Sequence, residues 1–347
     1  MMERSGRIAS SVSAGLLCFA CIVVISIFST SHDFINKEST PNNQSSAVKL
    51  RSYRRALSNN EEKYVATAED VKSLQHPYGD CDIPPHRFAN HELGTLYQPA
   101  FPGSGSRMTY ELVQALTGYT ISNDHNYAVD PNVRRKVVSV KTHYPNRNGI
   151  SLEDFDEDFH GAILVIRNPI KAIPSFYNFW YERMNHLENH SVRAPKEEWI
   201  AYRDANLEEQ LRSWRWHMDY WIQKYQNDRS KLLILPYELI THNNAGPIYA
   251  LKLAQFLNSF DGISTPQSPE KVACLWHRSV KYMDEGIDTE ERSVRKGNTS
   301  TPYTSSQFEA VQRVLREQKR KYENDPEIYK ILDQYLRHIG HYWLYVN

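Results

Sequence analysis

The sequence predicts an α/β fold, a three-layer sandwich around a central parallel sheet, and three observations predict it. Strand-like runs alternate with helical ones, the pattern of parallel strands joined by right-handed crossovers. The runs end in residues able to grip an anion, and open α/β sheets bind ligands beyond their C-terminal strand edges. The first run also passes through a short glycine-rich loop into a helix, an arrangement that holds phosphate or sulfate.

The N-terminus comes before any of this. Val12 to Phe28 is mostly apolar, preceded by Arg4 and Arg7 and followed by Asp33 and Glu38. Arginines on that side favour a cytoplasmic tail (1–11), a signal-anchor span (12–28) and a translocated remainder. A cleaved signal peptide is the competing reading, because the run is short and contains Ser13 and Ser26. Residues 29–90 are polar and read as a stem, with Arg51, Arg54 and Arg55 as a solvated face or a processing site. The main domain then covers 91–347. Cys18 and Cys21 lie in the apolar run, so only Cys81 and Cys274 reach the lumen, where they form one disulfide or remain two buried thiols. Asn43, Asn189 and Asn298 open formal glycosylation sequons, which suits a glycoprotein. Lysine plus arginine (41) equal aspartate plus glutamate (41), so nothing global points to nucleic acid and any basic site is local.

The segment from Leu96 to Met108 carries the glycine loop Pro102-Gly103-Ser104-Gly105-Ser106-Arg107. Met108, Leu112, Val113 and Leu116 follow on one helical face. The glycines let the backbone curl, and the helix start points free amides into the curl. It is not a Walker loop: no lysine precedes Ser106.

Lys136 to Val140 is β-branched and leads to Lys141, Thr142 and His143 before Pro145, hence a strand with those three at its C-terminal edge. Ala162 to Ile166 is a second such strand, ending in Arg167-Asn168-Pro169 and entering a helix that contains Ser175. A guanidinium and a hydroxyl so placed converge on one anion. An amphipathic stretch runs from Lys196 to Gln226, and Lys231 to Pro236 forms a further strand ending at Tyr237. Arg295-Lys296-Gly297 could clamp a phosphate, Thr304 caps a helix through Phe308, Val311 and Leu315, and a last helix ends near Gly340. Asp154-Phe155-Asp156 with Asp158 is a formal Asp-x-Asp, the feature of a metal-dependent luminal glycosyltransferase, or else a solvated turn.

Taken in order, these segments resemble the sulfotransferases that use 3'-phosphoadenosine-5'-phosphosulfate, over about Leu93 to Leu315. Pro102 to Ser106 resembles the P-loop-like 5'-phosphosulfate loop, and Lys141-Thr142-His143-Tyr144-Pro145 the segment bearing the catalytic histidine. Arg167 with Ser175 resembles the 3'-phosphate segment. Ser213-Trp214, His217 and Trp221, followed by Leu235 to Glu238, are similar to the elements before the adenine-contacting tyrosine, and Arg295-Lys296-Gly297 matches a C-terminal element. The loop helix looks most like the membrane-anchored branch with WSC domains, though no cysteine-rich WSC module is present. The resemblance implies His143 and Lys141 as catalytic residues and no metal. It implies cofactor contacts from Gly103, Ser104, Gly105, Ser106, Arg107, Arg167, Ser175, Tyr237, Arg295, Lys296 and Gly297. It further implies a hydroxyl-bearing acceptor, with secretory placement favouring a glycan, and a Golgi or ER membrane location with a luminal domain. The chain departs from many members at Gly103, where they carry a cation. Arg107 or Lys141 would then compensate, or the chain is a degenerate, non-catalytic relative.

Overall fold

A computed structural model describes residues 81–281 and 302–346, with side chains to residue 340. The predicted span, Asn43, the Arg51 patch, Arg295-Lys296-Gly297 and Asn298 all lie outside the described residues.

Five strands, β1 (Leu96–Pro99), β2 (Ser122–Asn123), β3 (Ser139–Thr142), β4 (Gly161–Ile166) and β5 (Leu232–Pro236), form one parallel sheet in the order β2-β3-β1-β4-β5. The chain therefore builds to one side of β1, then crosses to the other. β1 sits between β3 and β4, where the order reverses, the place at which open α/β sheets bind ligands beyond their C-terminal strand ends.

Parallel strands covered on both faces must be apolar throughout, and all six residues of β4 are buried. Alternate side chains divide between two apolar clusters. Tyr97, Ala162, Leu164, Ile166 and Ile234 join one, and Leu96, Ile163, Leu233 and Leu235 the other. The first is covered by α3 (Pro169–Met184) and the long α4 (Lys196–Lys224), which buries Trp199, Leu211, Trp214, Met218 and Trp221. The second is covered by α1 (Ser106–Thr117), α6 (Gly246–Leu257) and α7 (Pro269–Val280). Two short helices, α2 (Asp124–Val129) and α5 (Tyr237–Ile240), follow β2 and β5 directly.

Helix α8 (Ser305–Lys321) starts at Thr304, whose side chain and that of Gln307 cap one another's amides. Helix α9 (Pro326–Val346) passes through Gly340 rather than ending there. A helix-interior glycine costs only about 0.5–1 kcal/mol, too little to stop a helix by itself. Residues 81–90, polar enough to read as stem, belong to the fold. Cys81 and Cys274 form a disulfide across 193 positions, Arg87 pairs with Tyr119, and Ala89 is buried. Trp199 lies in the aromatic core, and Tyr181, half-buried, packs against the same cluster. Among the described residues no helix is long and apolar enough to cross a membrane.

Candidate active site

Four strand ends meet around the glycine loop. Gly103 and Gly105 both have positive φ, 81° and 89°. A Cβ on Gly103 would lie 2.2 Å from the Ala172 carbonyl oxygen and 2.7 Å from the Phe176 amide nitrogen. No side chain of any kind fits there, so the glycine has a steric cause. A Cβ on Gly105 would strike the Tyr237 ring at 2.5 Å. Gly105 is the N-cap of α1 and gives no side-chain cap, so the amides of the first turn face outward without one. Ser104 is fully buried, and its hydroxyl has no hydrogen-bond partner among the described residues.

Arg167, at the end of β4, donates from Nη1 to the Gly103 carbonyl at 2.7 Å and lies 4.0 Å over the Tyr237 ring centroid. Its backbone is pinned by Trp214 Nε1, which donates to the Arg167 carbonyl at 3.0 Å. No ion pair reaches Arg167 among the described residues, and its Nε is buried without a partner. Ser175 precedes Phe176, whose amide backs Gly103, so it stands beside the loop on α3. The next amide along β4, of Asn168, donates to Glu238 Oε1 at 3.0 Å, tying the β4 and β5 ends together.

His143 lies on the other side of β1. Its Nδ1 is 2.6 Å from the Ala100 carbonyl oxygen. A carbonyl only accepts, so Nδ1 carries the proton and Nε2 keeps a free lone pair. Burial, then the neighbouring Lys141 charge, pull the imidazole down to about 3 against the Ala100 bond, so the ring is neutral. Lys141 is itself lowered, chiefly by burial; Asp124 opposes that and Arg107 adds to it. Arg107 pairs with Glu111 at 2.8 Å with its side chain 65% exposed, and its charge adds to the lowering of Lys141.

The histidine loop is held from three sides. Buried Asp124 accepts from Thr142 Oγ1 at 2.7 Å and from the Ile150 amide at 3.1 Å. Trp221 Nε1 donates to the Tyr144 carbonyl at 2.7 Å, and Asn146 Nδ2 donates to Ser213 Oγ at 2.6 Å. His217, buried on α4 and also pulled down to about 3, first by burial and then by His143, leaves Nε2 without a partner among the described residues. The acidic run lies before β4, at the opposite strand end. Asp156 accepts from the Tyr97 hydroxyl at 2.5 Å and pairs with Lys224 at 2.5 Å, while Asp158 accepts from the Tyr127 hydroxyl at 3.1 Å.

Of the residues the sequence singles out, the fold gathers Gly103 to Ser106, Lys141, His143, Arg167, Ser175 and Tyr237 along one edge, with Arg107 at its rim. The sequence reading missed Asp124, Asn146 and Gln210, and gave His217 no role. For Gln210 and His217 the one signal is a polar line, Gln210, Ser213 and His217, at helical spacing on α4 beside the buried Leu207, Leu211, Trp214 and Met218. A scan of the sequence against protein-family models finds no match, and a search of the curated proteins finds no significant similarity.

Proposed function

We propose that the chain is a sulfotransferase that moves the sulfuryl group of 3'-phosphoadenosine-5'-phosphosulfate to an acceptor hydroxyl, probing for which should start with glycans. The sheet and its two apolar clusters serve as the middle of a three-layer sandwich, and the curl at residues 102–106 as the phosphosulfate loop. One observation carries the reading: Arg167 bonds to Gly103 and stacks on Tyr237, so the segments suited to the two ends of the donor share one crevice.

The residues fit the donor. The Ser104 hydroxyl, the first amides of α1 and Lys141 supply donors and charge for the 5' end. Arg167 and Ser175 supply them for the 3'-phosphate, joined in this reading by Arg295, Lys296 and Gly297. Tyr237 is the wall for adenine. His143 Nε2 takes the acceptor proton as the acceptor oxygen bonds to sulfur and the bond from sulfur to the 5'-phosphate oxygen breaks, contributing about 10²–10⁴-fold. Fixed amides and Lys141 stabilise charge on the sulfuryl oxygens and leaving phosphate. Lys141 takes the part that a cation at position 103 cannot. An anion beside Lys141 would offset the charge that depresses His143, raising its basicity when it is needed.

The disulfide supports an oxidising compartment, consistent with a single-pass Golgi or ER membrane protein with a luminal domain, or a secreted one. Calorimetry with adenosine 3',5'-bisphosphate, followed by labelled donor and a panel of glycans, tests the reading. Binding with transfer supports it; binding without transfer to any acceptor makes the chain a non-catalytic relative; no binding removes it.

A further inference from the structure

Beside His143 a cleft of about 550 Å³ opens between the histidine loop and α4, within the ~300–1,000 Å³ range of small-ligand sites. Two of its lining residues adjoin the proposed reaction centre. Asn146, in its wall, gives its amide to the His143 carbonyl at 2.8 Å, and Phe176, in the opposite wall, backs Gly103. Gln210 and Ser213 line it from the face of α4 that continues to His217.

Three features describe what would fill it. Gln210 is 4% exposed, and its Oε1 has no hydrogen-bond partner among the described residues, so it calls for a donor such as a hydroxyl. Trp216 presents an indole 55% exposed at the mouth, a flat apolar platform for the C–H face of a sugar ring. The charges leave one cation over. Arg147 pairs with Glu209 at 3.8 Å, Arg215 with Glu317 at 3.2 Å, and Asp219 with Lys321 at 2.8 Å. Arg212, exposed on the same wall, has no ion pair among the described residues.

We infer that this cleft is the acceptor subsite and that its ligand is an acidic carbohydrate, with a ring on Trp216, a hydroxyl on Gln210 and a carboxylate or sulfate on Arg212. The role as acceptor subsite rests on the sulfuryl-transfer reading, whereas carbohydrate binding can be measured without it. Full-length protein is given labelled donor with a polyuronate, a neutral glucan and a tyrosine-containing peptide, and binding of the polyuronate is measured separately by calorimetry. The polyuronate is expected to be the best acceptor. Arg212→Gln should lower its kcat/KM relative to the glucan, and weaken its binding, by roughly ten- to a hundredfold, the loss of one charged hydrogen bond. Trp216→Ala should weaken both carbohydrates. An unchanged polyuronate-to-glucan ratio in Arg212→Gln, or a peptide that outperforms both glycans, overturns the inference. Absent transfer and absent bisphosphate binding would sink the sulfotransferase reading, while polyuronate binding lost in Arg212→Gln would still uphold the carbohydrate site.

Discussion

The two ends of the crevice are made of different material. Around Gly103 the surface is backbone: a curl with positive φ, a helix start, and a guanidinium held by a carbonyl and a ring. Around Gln210 and Trp216 it is side chains from one helix face, with Asn146 clamped to Ser213 and an amide oxygen left unpaired. Backbone shaped by close packing admits one geometry and one ligand chemistry. A helix face can exchange residues without disturbing the fold, so that end is where specificity can vary. His143, bonded through Nδ1 to the first end and anchored through Asn146 and Trp221 to the second, joins them.

The division is most sharply tested at that joint. His143→Ala should reduce transfer by about 10²–10⁴-fold while leaving the calorimetric affinity for adenosine 3',5'-bisphosphate close to that of the parent. Unchanged turnover would remove the base and with it the link between the ends. Arg167→Ala should do the reverse, weakening bisphosphate binding by roughly 10- to 150-fold through loss of charged contacts of about 1.5–3 kcal/mol. A fall in turnover alone would show that Arg167 does not hold the 3'-phosphate.

Gly103→Ala addresses the backbone end only. A β-carbon at φ 81° and 2.2 Å from a carbonyl oxygen should cost about 1–3 kcal/mol in strain, read from urea unfolding, and bisphosphate affinity should fall with it. An alanine variant of parental stability would mean that the curl is not fixed by packing on α3. The joint also imposes a pH slope. Folding holds His143 and His217 at about 3, below their ordinary 6.5, so below 6.5 the unfolded chain binds more protons than the folded one. Stability present above 6.5 should therefore be lost as pH falls towards 3, by up to about 1.4 kcal/mol per pH unit for each ring. His217→Gln should flatten the slope without removing it; an unaltered slope would show that His217 does not titrate on unfolding.

Much of the backbone end was legible in the sequence, and little of the other. β-branched runs, a glycine curl and Lys141, Thr142, His143, Arg167 and Tyr237 at strand ends are all local signals, because a parallel strand and its following turn are specified by a few neighbouring residues. Gln210, Ser213 and Trp216 are ordinary helix residues whose meaning depends on what the helix faces. Gly103 shows the same limit at a single position. As a letter it marks a departure from a resembled pattern; in the fold, Ala172 and Phe176, about seventy positions away, leave room for no other residue.

By itself, then, the sequence determined an α/β sheet with cations and a histidine at its strand ends and a glycine curl entering a helix, since those follow from periodicity, turn chemistry and the order of residues along the chain. Only the tertiary structure decided the strand order that sets β1 at the switch point, the Cys81–Cys274 bridge, the proton on His143 Nδ1, and the cleft along α4. Each of these depends on groups far apart in the chain meeting in space, and contact between distant residues leaves no local trace.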